Sequence, residues 1–469
     1  MKQQVFETLK LEKIVGGGQA LGTLADGRKV FVWGGLPGET VAVHITKKKS
    51  HLAEAVVEEV ISPSPERIQP RDPSSYLSTS PWQIMPLEIE QQYKAQLISD
   101  AFLLHDIALP SAIDVYCDNV AYDYRNKVEF SWYSDIDATT GADTLDLAFF
   151  RRGSKGKIVV NGTSLTHPEI NNLARAIRDL LRHKRVAARQ LKTLLVRCNQ
   201  SGSCVWQLYI KDRLPEIITA DEAAKLPAQG GEIIYSDPRS PASRITERLA
   251  CFGNTTLTDT ILGIPFRYAC EGFFQVNIPV YEQALHDMKE WVPYDCNSQH
   301  SGRQLGHHQK IIRDPREVAQ IFSGVPLATD QPILDFYAGV GTIGLTIGGG
   351  NVTLVEINAD AVREMQRNIA ELDRTDARAV LAPSEQALDH ITGKEIVIVD
   401  PPRAGLHADV IATLLQKLPP RIIYLSCNPV TQARDVSLLQ EKYEIMHHQG
   451  YNFFPRTPHL EHLVILDKK

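Results

Sequence analysis

Pro332-Ile333-Leu334-Asp335-Phe336-Tyr337-Ala338-Gly339-Val340-Gly341-Thr342-Ile343-Gly344-Leu345 reads as a buried strand, a glycine-rich turn and the start of a helix. Glycines at such a turn let the backbone approach a ligand closely. The pattern alone is weak evidence, because dinucleotide-binding folds use a similar one. The next strand, Val352-Thr353-Leu354-Val355-Glu356-Ile357-Asn358, sharpens it. It ends in an acid about 20 residues on, where a carboxylate can bind a ribose diol. Two more apolar runs follow, Val397-Ile398-Val399-Asp400-Pro401-Pro402-Arg403-Ala404-Gly405-Leu406 and Tyr424-Leu425-Ser426-Cys427-Asn428-Pro429, each ending in a polar and proline cluster. Together they predict an α/β domain with a mostly parallel sheet that holds a nucleoside at the carboxyl ends of its strands. Cys427 at such a strand end is a candidate nucleophile. A lone free cysteine is otherwise most often a core residue.

The chain around this stretch has 469 residues, 43% hydrophobic and 23% charged, enough for roughly three domains of ordinary size. A formal net charge of −6 points to no nucleic-acid partner by itself, so cationic patches have to be sought locally. The seven cysteines show no CxxC pair and no Cys/His metal spacing, which fits free thiols in a reducing cytoplasm. No apolar run reaches the 18 or so residues a membrane span needs. The expected location is cytoplasmic, and the default assembly is a monomer.

Upstream, residues 1–62 alternate short β-rich runs with glycine-rich turns, the pattern of a small OB-like β-barrel. Lys47-Lys48-Lys49 falls at one hairpin tip, either for phosphate contact or merely solvated. Residues 62–81 read as a linker, and Met85 to His105 as a helix. Strand-like runs at 126–133, 145–150, 193–198 and 205–210, with a basic helix carrying Arg175, Arg178, Arg182, Lys184, Arg185, Arg189 and Lys192, make residues 63–266 an α+β middle domain. The last domain, 267–469, opens with Phe273-Phe274-Gln275-Val276-Asn277 and a helix through Tyr281, Ala284, Met288 and Trp291. The stretch 297–308, with His300, His307 and His308, reads as an aperiodic loop without metal-binding partners.

Six ordered motifs carry a family resemblance: Gln275-Val276-Asn277, Asp335 to Thr342, Val355-Glu356, Asp400 to Gly405, Leu425 to Pro429, and Pro455-Arg456-Thr457-Pro458-His459-Leu460-Glu461. With Tyr124-Arg125-Asn126-Lys127-Val128 in the middle region, the chain resembles the RNA 5-methyluridine methyltransferases over nearly its whole length. Leu36-Pro37-Gly38-Glu39-Thr40-Val41 resembles the TRAM domain, an RNA-binding module. The resemblance implies an α/β Rossmann-like methyltransferase domain, an α+β middle domain and an N-terminal OB-like β-barrel. It also implies S-adenosylmethionine as cofactor and a uridine of 23S rRNA or tRNA as substrate, with 23S rRNA favoured.

By the same resemblance Cys427 adds to carbon 6 of the base and Glu461 removes the proton from carbon 5. Gln275, Tyr337, Gly339, Gly341, Thr342, Glu356 and Asp400 are expected to hold the cofactor. Arg403, Phe273, Phe274, Lys47, Lys48, Lys49, Arg125 and Lys127 are expected substrate contacts, with Phe454 a further aromatic support for a flipped base. The family's helix matching residues 85–105 packs on the catalytic domain. Many members bind a 4Fe–4S cluster, but Asp72, Ser78 and Pro81 stand where thiolates would be and a fourth is missing near Gly162-Thr163-Ser164, so no cluster and no metal are expected. Pro383-Ser384 replaces the family's adenine-binding acid or amide. Two alternatives stand beside this one: an RNA-binding protein without catalysis, and an amino-methyltransferase of adenine or cytosine, which also uses an Asp-Pro-Pro strand end.

Overall fold

The computed structural model describes residues 6–136, 144–292 and 331–469. The 297–308 loop with its three histidines lies outside them. Strands β1 (Phe6–Ile14), β2 (Ala20–Thr23), β3 (Lys29–Trp33), β4 (Thr40–Lys48) and β5 (Leu52–Ser62) close into a barrel in the order β1-β2-β3-β5-β4. Inward residues alternate with outward ones, so Val30, Val32, Val41, Val43, Ala53 and Ala55 fill the interior. The Leu36-Pro37-Gly38-Glu39 turn is fixed by the fully buried Glu39 carboxylate, which accepts from Leu36 N (2.8 Å), Ser64 N (3.1 Å) and Arg67 Nε (2.5 Å). That carboxylate fastens the barrel to the linker that follows it.

After a single turn, α1 (Tyr76–Thr79), comes α2 (Leu87–Leu103) and the two-residue β6 (Val115–Tyr116). The middle sheet holds β7 (Lys127–Tyr133), β8 (Asp146–Phe150), β9 (Lys157–Val159), β10 (Leu191–Cys198), β11 (Cys204–Ile210), β12 (Gly230–Tyr235) and β13 (Glu247–Gly253) in the order β13-β12-β11-β10-β7-β8-β9. One face is covered by α3 (Pro168–His183), through Ile170, Leu173, Ala174, Ile177 and Leu181. The remaining turn of helix here is α4 (Ala220–Ala223). The hairpin of β14 (Thr256–Ile261) and β15 (Ile264–Ala269) belongs elsewhere: Leu257, Ile261, Phe266 and Tyr268 share a core with α5 (Ile278–Trp291). The catalytic unit therefore begins about ten residues before the expected boundary at 267.

Its sheet contains β16 (Ile333–Phe336), β17 (Val352–Glu356), β18 (Ala377–Leu381), β19 (Ile396–Val399), β20 (Arg421–Ser426), β21 (Tyr443–Tyr451) and β22 (Glu461–Lys468). The order is β18-β17-β16-β19-β20-β22-β21-β6, with β16 to β20 parallel and β22 inserted antiparallel between β20 and β21. Helices α6 (Thr342–Ile347), α7 (Ala359–Glu371), α8 (Ala408–Lys417) and α9 (Pro429–Leu439) connect them. Both faces are covered, which is why the strands read as unbroken apolar runs. Leu334, Phe336, Val397 and Val399 enter one core, while Ile333, Ile396 and Ile398 enter the other. Among the described residues no helix is long and apolar enough to cross a membrane.

Two elements that precede the middle region in sequence belong to this catalytic unit in space. Strand β6 pairs with β21 through Val115↔Gly450 and Tyr116↔Tyr451, which removes residues 115–116 from the expected middle domain. Helix α2 buries Lys94 Nζ, which donates to Glu90 Oε1 (2.8 Å), Asn452 Oδ1 (2.5 Å) and Phe454 O (3.2 Å). Lys94 and Glu90 are both fully buried, so removing one partner strands the other charge. Lys94→Met is expected to cost roughly 3–5 kcal/mol. Urea unfolding followed by Trp fluorescence reads the loss, and adding Glu90→Gln should recover part of it.

Candidate active site

The chain leaves β16 in the glycine-rich turn, and the sheet reverses its connection order between β16 and β19. A crevice outside the carboxyl ends of strands at such a switch point is where open α/β sheets bind ligands. Gly339 and Gly341 have φ of +58° and +89°, a left-handed pair that most side chains resist. Beside Gly339 there is nothing within 4 Å of the place a Cβ would occupy, so the turn faces open space. Gly341 caps α6, whose first residue, Thr342, is buried and shares a hydrogen bond with the Tyr281 hydroxyl from α5. Tyr337 also has a positive φ, 63°, and its hydroxyl accepts from Ser384 Oγ at 2.8 Å. Ser384, expected at the adenine end, thus positions Tyr337.

Glu356 ends β17, one strand over from Tyr337. Its two oxygens accept from Gly339 N (3.0 Å) and Asn358 N (2.8 Å), which aims the carboxylate over the glycine turn. Gln275 is buried ahead of α5, its carbonyl held by Asn126 Nδ2 at 2.8 Å. Asp335 lies inside the glycine-turn motif, where chemistry alone did not single it out. It is fully buried, one oxygen accepts from Gly344 N at 2.9 Å, and the other has no partner. Burial, reinforced by Asp400 and Glu356, pushes its pKa up to about 8 against that bond.

The register of β20 and β22 sets the second half of the site. Ser426 pairs with His462, so one step outward Cys427 and Glu461 stand at the same level on neighbouring strands. Asp400 extends β19 on the other side of β20. Burial raises Asp400 to about 7, and burial together with the Asp400 charge raises Glu461 well above the usual carboxylate range. One Glu461 oxygen, Oε2, is buried without a hydrogen-bond partner. Burial and then these two carboxylates push the Cys427 thiol up to about 11, while Arg403, which hydrogen-bonds it, pulls the other way. Two like charges so placed favour holding a proton between them, the arrangement of an acid–base pair.

Arg403 is exposed on the loop after Asp400 and its Nη2 lies 3.2 Å from His459 Nδ1. Removing it takes away both the cation and the hydrogen bond that favour thiolate. Arg403→Ala is expected to slow alkylation of Cys427 by iodoacetamide several-fold at pH 8 and to shift the pH-rate curve upward. Mass spectrometry of the labelled peptide against pH measures this.

His459 was quoted in the last motif without a role. Packing of its inner side and the charges of Arg403, Lys94, Arg125 and Arg152 lower its pKa, so the ring is neutral near pH 7. Three parts of the chain meet at this loop. Gly18 of the barrel, φ +86°, lies so close to Pro458 that a Cβ would sit 2.0 Å from it, and Trp82 bridges Gly18 O (3.0 Å) and Arg456 O (3.1 Å). Arg152 of the middle region stacks on the barrel's Trp33 at 4.0 Å.

The expected substrate contacts divide. Phe273 is 68% exposed and free to meet a base. Phe274 is not: it is buried, stacked on Tyr268 with ring centroids 4.0 Å apart. Lys127 is turned inward, donating to Glu271 O at 3.3 Å, and burial lowers its pKa. Arg125 remains half-buried beside His459. Phe454 is half-buried, edge-on to His459. Lys47, Lys48 and Lys49 do lie at the β4–β5 tip, but Lys47 pairs with Glu54 (3.3 Å) and Lys48 with Glu7 (3.5 Å). The basic helix ends at His183, and much of its cationic face is used internally: Arg178 binds Asn161 and Asp179, Arg182 binds Asp146, Lys184 binds Glu222, and Lys192 sits on β10 bound to Ser236 and Ser240.

Where a cluster's thiolates would be, Asp72 Oδ2 accepts from Ser164 Oγ (2.8 Å), Ser164 N (3.0 Å) and Gln83 Nε2 (3.1 Å). Oxygen and amide groups already bonded to each other do not fit an iron–sulfur cluster.

Residues 350–469 match the sequence model of the family described as tRNA (Uracil-5-)-methyltransferase. Over these residues the chain is similar to that family. The match begins at β17 and includes Glu356, Asp400, Cys427 and Glu461. An uncharacterized RNA methyltransferase of Nitratidesulfovibrio vulgaris is 25% identical over 98% of this chain and 95% of its own. One from Lactiplantibacillus plantarum is 26% identical over 95% of this chain and 93% of its own. The RNA methyltransferase likeness therefore extends across all three parts. In fold, the Pyrococcus abyssi tRNA (uracil-54, C5)-methyltransferase, solved with S-adenosyl-L-homocysteine, superposes with a TM-score of 0.72 at 18% identity, covering 99% of this chain and 100% of that one.

Proposed function

We propose that this enzyme methylates carbon 5 of a uridine in structured RNA, using S-adenosylmethionine, through a covalent adduct between Cys427 and carbon 6. The observation that carries this reading is the facing pair Cys427 and Glu461 at the ends of β20 and β22, with Asp400 beside them. Amino-group methylation needs no thiol, and an RNA binder without catalysis needs neither group.

The Gly339–Gly341 turn, Thr342, Tyr337 and Gln275 would hold the cofactor, with Glu356 on its ribose hydroxyls. The open space beside Gly339 and the unpartnered Asp335 oxygen fit a ligand lying over the turn. S-adenosylmethionine supplies, when bound, a methyl group already activated on a sulfonium. Cys427, as thiolate, adds to carbon 6 and makes carbon 5 nucleophilic. Arg403 favours that thiolate. Once carbon 5 carries the methyl group, Glu461 takes its proton, and the carbon 6–sulfur bond breaks to release the product and the thiolate. Phe273 is the exposed ring on which a flipped-out base can stack.

The three-way junction of barrel, middle sheet and His459 loop supports a platform for folded RNA, with the barrel acting as a TRAM-like module. The proposed setting is a cytoplasmic monomer acting on tRNA or 23S rRNA. The barrel does not separate these two, since the P. abyssi protein named for tRNA matches over the barrel as well. Mapping 5-methyluridine in both RNAs from a strain lacking the gene, with and without complementation, tests the reading. One uridine should lose its methyl group in the deletion and regain it on complementation; no change at any uridine would overturn it.

A further inference from the structure

Behind Gln275, between the middle sheet and the catalytic unit, is a cavity of about 220 Å³. Tyr124, Asn126, His167 and Gln200 wall it from the middle side and Asn277 from the catalytic side; Cys427, Glu461, Asp400 and Arg403 do not line it. Asn277 is fully buried, yet neither its Oδ1 nor its Nδ2 has a hydrogen-bond partner. It occupies the N-cap position of α5 without its side chain capping the helix. Asn126, 2% exposed, also has a free Oδ1, its Nδ2 being spent on the Gln275 carbonyl. Buried amide groups are costly to leave unmatched, so two in one cavity describe a site shaped for a polar occupant.

The chemistry of that occupant can be narrowed. Asp118 and Asp123 also line the cavity, which disfavours a phosphate or any other anion. Free acceptors and donors side by side suit a neutral, planar group with the complementary pattern. A side-chain amide makes a two-point contact of this kind with a base edge, adenine above all. His167, kept neutral chiefly by burial, adds a ring on which a base can stack.

We propose that this cavity receives a second nucleobase of the RNA substrate, one that flanks the methylated uridine, recognised through Asn277 and Asn126. It rests on the RNA-methylating function proposed above. RNA bases that are splayed out are commonly read in this way, each in its own pocket. Asn126 holds the Gln275 backbone, so a base seated here would also steady the segment that carries Gln275.

The test uses the whole enzyme and a stem-loop of the RNA found by the methyluridine mapping, with 5-fluorouridine at the target and each neighbouring nucleotide made abasic in turn. Adduct formation on the unaltered stem-loop reports on the catalytic reading; its absence would sink that reading rather than this site. Given adduct, one abasic position should slow the wild type at least tenfold through KM and slow Asn277→Ala no further. Equal slowing of both proteins at every position would overturn the proposal, and is the result if the cavity holds only ordered water. Unchanged melting and unchanged S-adenosylhomocysteine binding by calorimetry certify the variant. Should Asn277→Ala not fold, His167→Ala is compared at the same positions under the same two criteria.

Discussion

Cys427→Ala is expected to lower methyl transfer by roughly 10⁴-fold or more, the scale of losing a nucleophile that acts in concert with its neighbours. It should also lose every trace of adduct with 5-fluorouridine RNA on denaturing gels. Cys427→Ser is the sharper variant, because it preserves shape while replacing the thiol with a far weaker nucleophile. Substantial turnover by Cys427→Ser would rule out the carbon 6 adduct and favour an amino-methylating enzyme. The free thiol sits at about 11, raised by burial and by Glu461 and Asp400. Thiolate is therefore the minor form at neutral pH, and its fraction grows about tenfold per pH unit below that value. The wild-type kcat/KM should climb between pH 6.5 and 9; a flat profile would remove thiolate formation from the free enzyme's requirements.

Glu461→Gln should fail later in the reaction. The amide keeps the volume and a hydrogen-bonding oxygen but cannot take a proton, so the methylated base should stay attached to Cys427. A loss of roughly 10²–10⁴-fold in turnover is the usual scale for a general base. The decisive signature is accumulation of a stable complex with ordinary, unfluorinated RNA that carries one transferred methyl group, seen with radiolabelled cofactor. Free methylated RNA at the wild-type rate would assign the proton to another base. Removing this carboxylate also takes away a charge that raises the thiol, so Cys427 in the variant should alkylate faster at pH 8. A residue that merely packs would produce neither the trapped complex nor the faster alkylation.

The catalytic sheet was legible because its strands are buried on both faces and so appear as unbroken apolar runs ending in functional clusters. Cys427 and Glu461 were proposed from motif order, 34 residues apart; what sets them side by side is an antiparallel register that only the sheet displays. Other features had no local signal. Phe273 and Phe274 are chemically alike in sequence, and only the packing of Phe274 on Tyr268 distinguishes the buried ring from the exposed one. Lys127 and the arginines of α3 count as charges in a composition, whereas the Glu271 carbonyl that holds Lys127 and the Asp146 carboxylate that holds Arg182 come from elements distant in sequence. Asn126 reads as the start of a strand-like run and Asn277 as the residue leading into a helix. Their unmatched amides emerge only when the two halves of the molecule close around a cavity.

Helix α2 also bears on how the chain is made. Lys94 finds Asn452 only 358 residues later in the sequence, and Leu97, Ile98 and Phe102 join a core completed by the last strands. At ordinary ribosomal speed that is a wait on the order of tens of seconds, during which the nascent helix has no catalytic sheet to pack on. Glu90 and Lys94 lie one turn apart on the face that will be buried, and two charges there are expected to keep it hydrated until β21 and β22 are synthesised. The pair that locks the finished catalytic unit is thus the one expected to hold its nascent helix in water.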